Sequence, residues 1–162
     1  MPRVARAAVE DVRTVRSLRL RALADAPCAF GSTFQREADL SEEDWRQRLA
    51  RSSWFVAWEG QQPLGLVASF TPEEQPGWRE LVSMWVDPSM RGTRAAADLV
   101  RAVLDWAAAG GAGGVSLWVA DGNDRALRFY DRMGFTPTGH RQGLPSNPAV
   151  GETEMALRLT GN

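Results

Sequence analysis

Two short stretches concentrate residues whose types and spacing can do chemistry. In the first, Val86-Asp87-Pro88-Ser89-Met90-Arg91-Gly92-Thr93-Arg94-Ala95-Ala96, an apolar strand runs through a tight turn and a small-residue loop into a helix. That order presents backbone N–H groups to a phosphate. The second, residues 123–135, contains Tyr130, the only tyrosine of the chain. A phosphate cradle followed by one phenol predicts an enzyme that holds a phosphorylated cofactor and donates one proton. Other chemistry competes poorly. The single Cys28 and single His140 give no zinc site, so no metal is expected. Nothing orients a Cys28–His140 nucleophile pair, and Ser83 and Ser89 lack the context of a nucleophile elbow. A histidine side chain titrates near neutrality in model peptides, and His140 is the one histidine of the sequence. It is a candidate base, with a surface or packing role as the alternative.

The second stretch reads Asn123-Asp-Arg-Ala126-Leu-Arg-Phe-Tyr130-Asp-Arg-Met-Gly134-Phe135. It resembles the Asn-x-x-Ala-x-x-x-Tyr-x-x-x-Gly-Phe motif of the GNAT superfamily of acyl-CoA-dependent N-acetyltransferases. The first stretch is similar to that family's Arg/Gln-x-x-Gly-x-Gly/Ala loop at Arg91 and Ala96, and departs from it at Arg94, where the family usually has glycine. The likeness is strong over residues 78–135 and loose elsewhere. It implies acetyl-CoA as cosubstrate, its pyrophosphate on Arg91, Gly92, Thr93, Arg94, Ala95 and Ala96, with Asn123, Ala126 and Tyr130 completing the cofactor site. It also implies that the backbone of Met84, Trp85 and Val86 pairs with the pantetheine arm, a strand N–H near Trp85 or Val86 meeting the oxyanion. If Arg94 must adopt positive φ, it costs roughly 1–2 kcal/mol relative to glycine.

The implied reaction moves an acetyl group from a thioester to a primary amine by direct attack. Tyr130 falls on the family's tyrosine and is the candidate general acid; the alternative is a core aromatic. Glu80 lies eleven residues before Arg91, where the histone-acetylating branch has its base; the alternative is a solvated strand-end carboxylate. Other members place a glutamate five residues before the motif asparagine, and that position is Trp118 here. The resemblance puts the acceptor wall in residues 26–40 and 143–151. Within the first, Glu37 can hold an ammonium while Phe30 and Phe34 pack against its carbon frame; the alternative is that these side chains only order the loop. A small primary amine, such as an amino acid derivative, a polyamine or an aminated antibiotic, is the expected acceptor. The alternatives are a protein lysine or N-terminus, or, given Arg94, a non-catalytic acyl-CoA sensor.

These residues need a scaffold, and periodicity supplies one. The apolar pattern predicts a strand over 3–7 and a helix over 10–24, with Val12, Val15, Leu18 and Leu23 inward and Arg13, Arg16 and Arg19 toward water. Residues 26–40 read as a loop. Ser41 and Asp44 are spaced as a capping pair for a helix to about 51. Strands follow over 54–58 and 64–70, a turn at 72–77 and a strand over 81–86. A helix over 93–108, a strand over 115–119, a helix from the Asn123 cap to 133 and strands over 135–140 and 154–159 complete the chain. The expected order is β-α-α-β-β-β-α-β-α-β-β, an α/β (α+β) fold with a mixed, mostly antiparallel sheet flanked by helices. It agrees with the GNAT fold.

A chain of 162 residues fits a single domain over 1–162 with a sizeable core. Its hydrophobic share is 44% and its charged share 24%, as in ordinary globular proteins. No run approaches the roughly 20 apolar residues of a membrane span, and the first residues lack a signal-peptide core. A lone cysteine fits a reducing compartment, so a cytoplasmic location is expected. Net charge −1 gives no general attraction to nucleic acid or anionic lipid. All 19 basic residues are arginine, so the protein cannot acetylate a lysine of its own. Free strand edges late in the chain permit a homodimer.

Overall fold

The computed structural model describes residues 2–159. The expected domain also takes in residues 1 and 160–162, which lie outside that range. The first strand, β1 (Arg3–Arg6), leads through a 3-10 turn into α1 (Val12–Asp25). Then come α2 (Phe34–Ala38), α3 (Glu42–Arg51), β2 (Ser53–Glu59), β3 (Gln62–Phe70) and β4 (Trp78–Val86). After a second 3-10 turn follow α4 (Ala95–Ala109), β5 (Gly114–Ala120), α5 (Asp124–Arg132), β6 (Thr136–Leu144) and β7 (Asn147–Arg158). The strands form one sheet in the order β1-β2-β3-β4-β5-β7-β6. Only the β4–β5 pair is parallel, so the sheet is mixed and mostly antiparallel, as the sequence predicts.

Strand alternation divides the core in two. Trp54, Val56, Leu66 and Ala68 pack toward Val15, Leu18 and Trp45 of α1 and α3. Phe55, Ala57 and Val67 pack toward Leu99, Val100 and Val103 of α4. Local chemistry fixes the ends of the helices. In the capping box of α3, Ser41 N–H donates to Asp44 Oδ2 at 3.0 Å and Asp44 N–H donates to Ser41 Oγ at 3.1 Å. The end of α5 is closed by Gly134, at φ +102°. Its N–H reaches Asp131 O at 3.0 Å, and Phe135 N–H reaches Tyr130 O at 3.0 Å, the paired bonds of a Schellman cap.

Three expectations need correction. Residues 26–40 are not all loop: Thr33 Oγ1 accepts from Arg36 N–H at 3.2 Å and caps the short α2, too brief for a periodic signal. Arg19 does not face water; it is 5% exposed, because α2 carries Glu37 over it. The closing strands are also longer than expected. Leu144 pairs with Asn147, so residues 143–151 are the end of a tight hairpin rather than a loop, Pro145 and Ser146 making the turn between the strands.

Candidate active site

The opening in the sheet begins where β4 and β5 part. They pair only at Trp78–Gly114, Arg79–Val115 and Glu80–Ser116. Beyond Glu80 the β5-facing backbone of β4 has no ladder partner. Ser83 sits at φ +59°, in the left-handed region that non-glycine residues seldom occupy. On the β3 side three steps of β4, Val82 to Trp85, oppose two steps of β3, Leu66 to Ala68. That is a β-bulge, which re-aims the strand.

Two cavities meet at this gap. The larger, about 710 Å³, runs from the small-residue loop past β4 to α5 and is lined by Met84, Trp85, Val86, Arg91, Gly92 and Thr93, then by Ala96, Asn123, Ala126 and Tyr130. The second, about 670 Å³, contains Phe30, Glu37, Glu80 and Trp118 in its walls. Both are bordered by Phe30, Leu81, Val82, Ser83 and Trp118.

The first cavity suits a phosphorylated ligand with a peptide-like arm. At the start of α4, Ala95 N–H turns to Thr93 Oγ1 at 3.2 Å, while the Ala96 and Ala97 amides in the same turn have no intrahelical acceptor by position. The positive φ of the loop falls on Gly92, at +83°. Arg94 is right-handed helical at φ −79° and ψ −6°, so the strain considered for it does not arise. Its side chain is 70% exposed and lies 3.7 Å from Asp98. The loop is fastened to α1: Asp25 accepts from Arg91 Nη2 at 2.9 Å and from Trp85 Nε1 at 3.0 Å, and Arg21 pairs with Asp87. Asn123 Oδ1 accepts Ala126 N–H at 3.3 Å and starts α5. Arg125 and Arg132 also line this cavity; as helix-surface arginines they carried no distinguishing pattern.

Tyr130 is buried, with ring centroids 5.1 Å from Phe129 and 5.7 Å from Phe135. Burial pushes its phenol well above the ordinary value, so it holds its proton throughout the neutral range.

The second cavity owes its charge to strand register. Glu80 pairs with Ser116, Trp118 with Glu154 and Ala120 with Glu152. Directly paired residues share a face, so Glu80, Glu152 and Glu154 line the same side of the sheet. Burial raises the Glu80 pKa, and the charges of Glu154 and Glu152 raise it further against a hydrogen bond from Trp118. Glu152 is 5% exposed and accepts from Gln142 Nε2 at 2.5 Å. Glu154 accepts from Thr138 Oγ1 at 2.8 Å and lies 3.0 Å from His140 Nδ1. Sequence reasoning missed Glu152 and Glu154; their spacing of two on one strand is the signal that marks a shared face.

On the opposite wall Glu37 is buried between two arginines. It accepts from Arg19 Nε at 2.9 Å, Arg19 Nη2 at 3.0 Å and Arg48 Nη1 at 2.8 Å. Burial pushes its pKa up, but these two guanidinium groups outweigh that and hold it at about 2. Its charge is therefore met within the protein by the two guanidinium groups. Phe30 lies under the Arg19 guanidinium at 4.8 Å. Phe34 is 45% exposed and borders neither cavity.

Residues 19–135 match the family model described as the acetyltransferase (GNAT) family, and the chain belongs to that family. It is 33% identical over 133 residues to mycothiol acetyltransferase of Brachybacterium faecium, covering 76% of this chain and 37% of that protein. It is 34% identical over 107 residues to N-acetyltransferase family 8 member 2 of Rattus norvegicus, covering 64% of this chain and 47% of that one. The chain thus spans less than half the length of these curated relatives. In fold it is similar to yncA of Salmonella typhimurium, solved with its cofactor acetyl-CoA, at TM-score 0.80 and 16% identity over 100% of this chain and 96% of that one. The ribosomal-protein-alanine N-acetyltransferase of Brucella melitensis also aligns at TM-score 0.80 and 16% identity, over 97% and 99% of the two chains. Among the described residues no helix is long and apolar enough to cross a membrane.

Proposed function

We propose that this protein transfers an acetyl group from acetyl-CoA to the primary amine of a small molecule, the whole chain acting as one catalytic unit. The observation that carries this is the meeting of the two cavities at Leu81, Val82, Ser83 and Trp118, with Glu80 in one and Tyr130 in the other. Acetyl-CoA supplies the activated acetyl group, and the cradle at Arg91, Gly92, Thr93, Arg94, Ala95 and Ala96 takes its phosphates. The unpaired β4 backbone at Met84, Trp85 and Val86 takes the pantetheine arm, as an added strand is taken by a sheet edge.

Glu80 accepts the proton that the amine loses as its nitrogen attacks the carbonyl carbon. An amide N–H near the β4 bulge meets the oxygen on which charge develops. Tyr130 gives its proton to the sulfur as the carbon–sulfur bond breaks, and the solvent restores it. A small acceptor is favoured because the β6–β7 hairpin closes over the second cavity: Ser146 Oγ donates to Phe30 O at 2.8 Å. This packing narrows the groove that a lysine-bearing protein or a chain N-terminus needs.

The test is thiol release from acetyl-CoA across a panel of small amines and lysine peptides, with Tyr130→Phe in parallel. Turnover of some small amine, reduced roughly 10²-fold or more in Tyr130→Phe with acetyl-CoA binding retained, is the expected result. Peptide turnover without amine turnover overturns the acceptor class, and binding without any turnover points to an acyl-CoA sensor.

A further inference from the structure

The acceptor cavity is electrically two-sided, and neither side is balanced. On the sheet wall three carboxylates, Glu80, Glu152 and Glu154, face one space. Glu152 is 95% buried, and the hydrogen bond it accepts comes from the neutral amide of Gln142. Glu154 lies 3.0 Å from His140, which is charged only when protonated. Buried carboxylates are ordinarily met by a cation, and among the described residues neither Glu80 nor Glu152 has one within ion-pair distance.

The opposite wall has the reverse imbalance. Arg19 and Arg48 share the single carboxylate of Glu37, leaving a net positive charge. Arg19 is 95% buried, and its Nη1 has no hydrogen-bond partner. A guanidinium N–H left bare in a protein interior is costly, and this one belongs to a residue that lines the cavity. Arg36 lines the same wall, exposed and without an ion pair among the described residues. An anionic or strongly accepting group is what these donors lack.

We propose, resting on the acetyltransferase reading above, that the acceptor is an aminocarboxylate, an α-amino acid or a close derivative. Its nitrogen lies toward Glu80, Glu152 and Glu154 and its carboxylate toward Arg19 and Arg36. A guanidinium fork matches a carboxylate in shape as well as charge, and Phe30, beneath the Arg19 guanidinium, offers a face for the carbon frame between the two ends. The arrangement discriminates against monofunctional amines, which satisfy one wall and leave the other bare, and against polyamines, which bring a second cation toward Arg19 and Arg36.

The experiment compares matched acceptors: a set of amino acids, their carboxamides and the corresponding decarboxylated amines, each assayed by thiol release at saturating acetyl-CoA. The acid is expected to exceed its amide and amine in kcat/KM by roughly tenfold or more. That ratio is expected to fall toward one in Arg36→Ala and in Arg19→Gln. The ratio within one preparation does not depend on how much of the variant is folded, so partial misfolding of Arg19→Gln leaves the comparison valid. Amides and amines turned over as well as the acids overturn the proposal and leave the acetyltransferase reading standing, as does a ratio unchanged in both variants. Absence of turnover with every member of the three series overturns both.

Discussion

In the proposed mechanism Glu80 is the general base; such a base works only while it is unprotonated, and the surroundings of Glu80 decide when that is. Burial and the neighbouring Glu154 and Glu152 raise its pKa above the ordinary carboxylate value, so the acid limb of kcat/KM against pH should lie above that value too. Neutralising a neighbour removes part of the cause. In Glu154→Gln the limb is expected to move to lower pH, and in Glu80→Gln to disappear along with most of the activity. A limb that stays in place in Glu154→Gln would separate Glu80 from the observed titration. Glu80 and Tyr130 stand out in the sequence as candidates because each lies at a fixed spacing from a motif on its own stretch of chain, and the structure places each in the wall of one of the two cavities. Glu152 and Glu154 do not stand out, because they reach Glu80 through the β4–β5–β7 register, a property of strand pairing rather than of local pattern. The strained Ser83 carried no signal either, since serine at a bulge looks like serine in a strand.

At the scale of elements, Glu37 joins three helices. It belongs to α2 and accepts from Arg19 of α1 and Arg48 of α3. Its folded pKa of about 2 lies below the reference 4.5, so its stabilising contribution is present in full above about pH 4.5 and is lost as pH falls toward 2. Glu37→Gln leaves two arginines without their carboxylate, one of them buried, and should lower stability by about 3 kcal/mol. Denaturant melts at pH 7 and pH 3 check both statements: the gap between wild type and variant should shrink at the lower pH. An equal gap at both would assign the loss to packing. The helices and strands with clear period and caps were readable, α3 from Ser41 and Asp44 and α5 from Asn123. The five-residue α2 was not, and with it went the reason for Arg19 to turn inward. An arginine beside Arg13 and Arg16 reads as solvent-facing until the element that covers it is known. The β6–β7 hairpin was read short because Gly143, Pro145 and Pro148 suggest a loop, whereas Gly143 and Pro148 lie in the strands and Pro145 and Ser146 alone make the turn.

Over the whole molecule, the cleft proposed for the cofactor draws on β4, the loop before α4, α4 itself, β5 and α5, so a ligand there binds the folded arrangement of these elements and not the unfolded chain. At a concentration one hundred times its Kd, acetyl-CoA should add about 2.7 kcal/mol, which for a chain of this length raises the melting temperature by about 5–10 °C. The Arg94 departure from the family loop bears directly on this. Glycine would relieve strain only at positive φ, and Arg94 stands at −79° while Gly92 takes the left-handed position at +83°. Arg94→Gly is therefore expected to change the acetyl-CoA Kd by less than roughly threefold, as befits an exposed N-terminal arginine whose nearest carboxylate is 3.7 Å away. Gly92→Ala should weaken binding far more, because alanine resists the backbone conformation that carries the loop past the phosphates. Thermal melts of wild type and both variants with and without acetyl-CoA decide the matter. A much tighter complex in Arg94→Gly would place the strain at residue 94, and an unshifted melting temperature in the wild type would remove acetyl-CoA from this cleft.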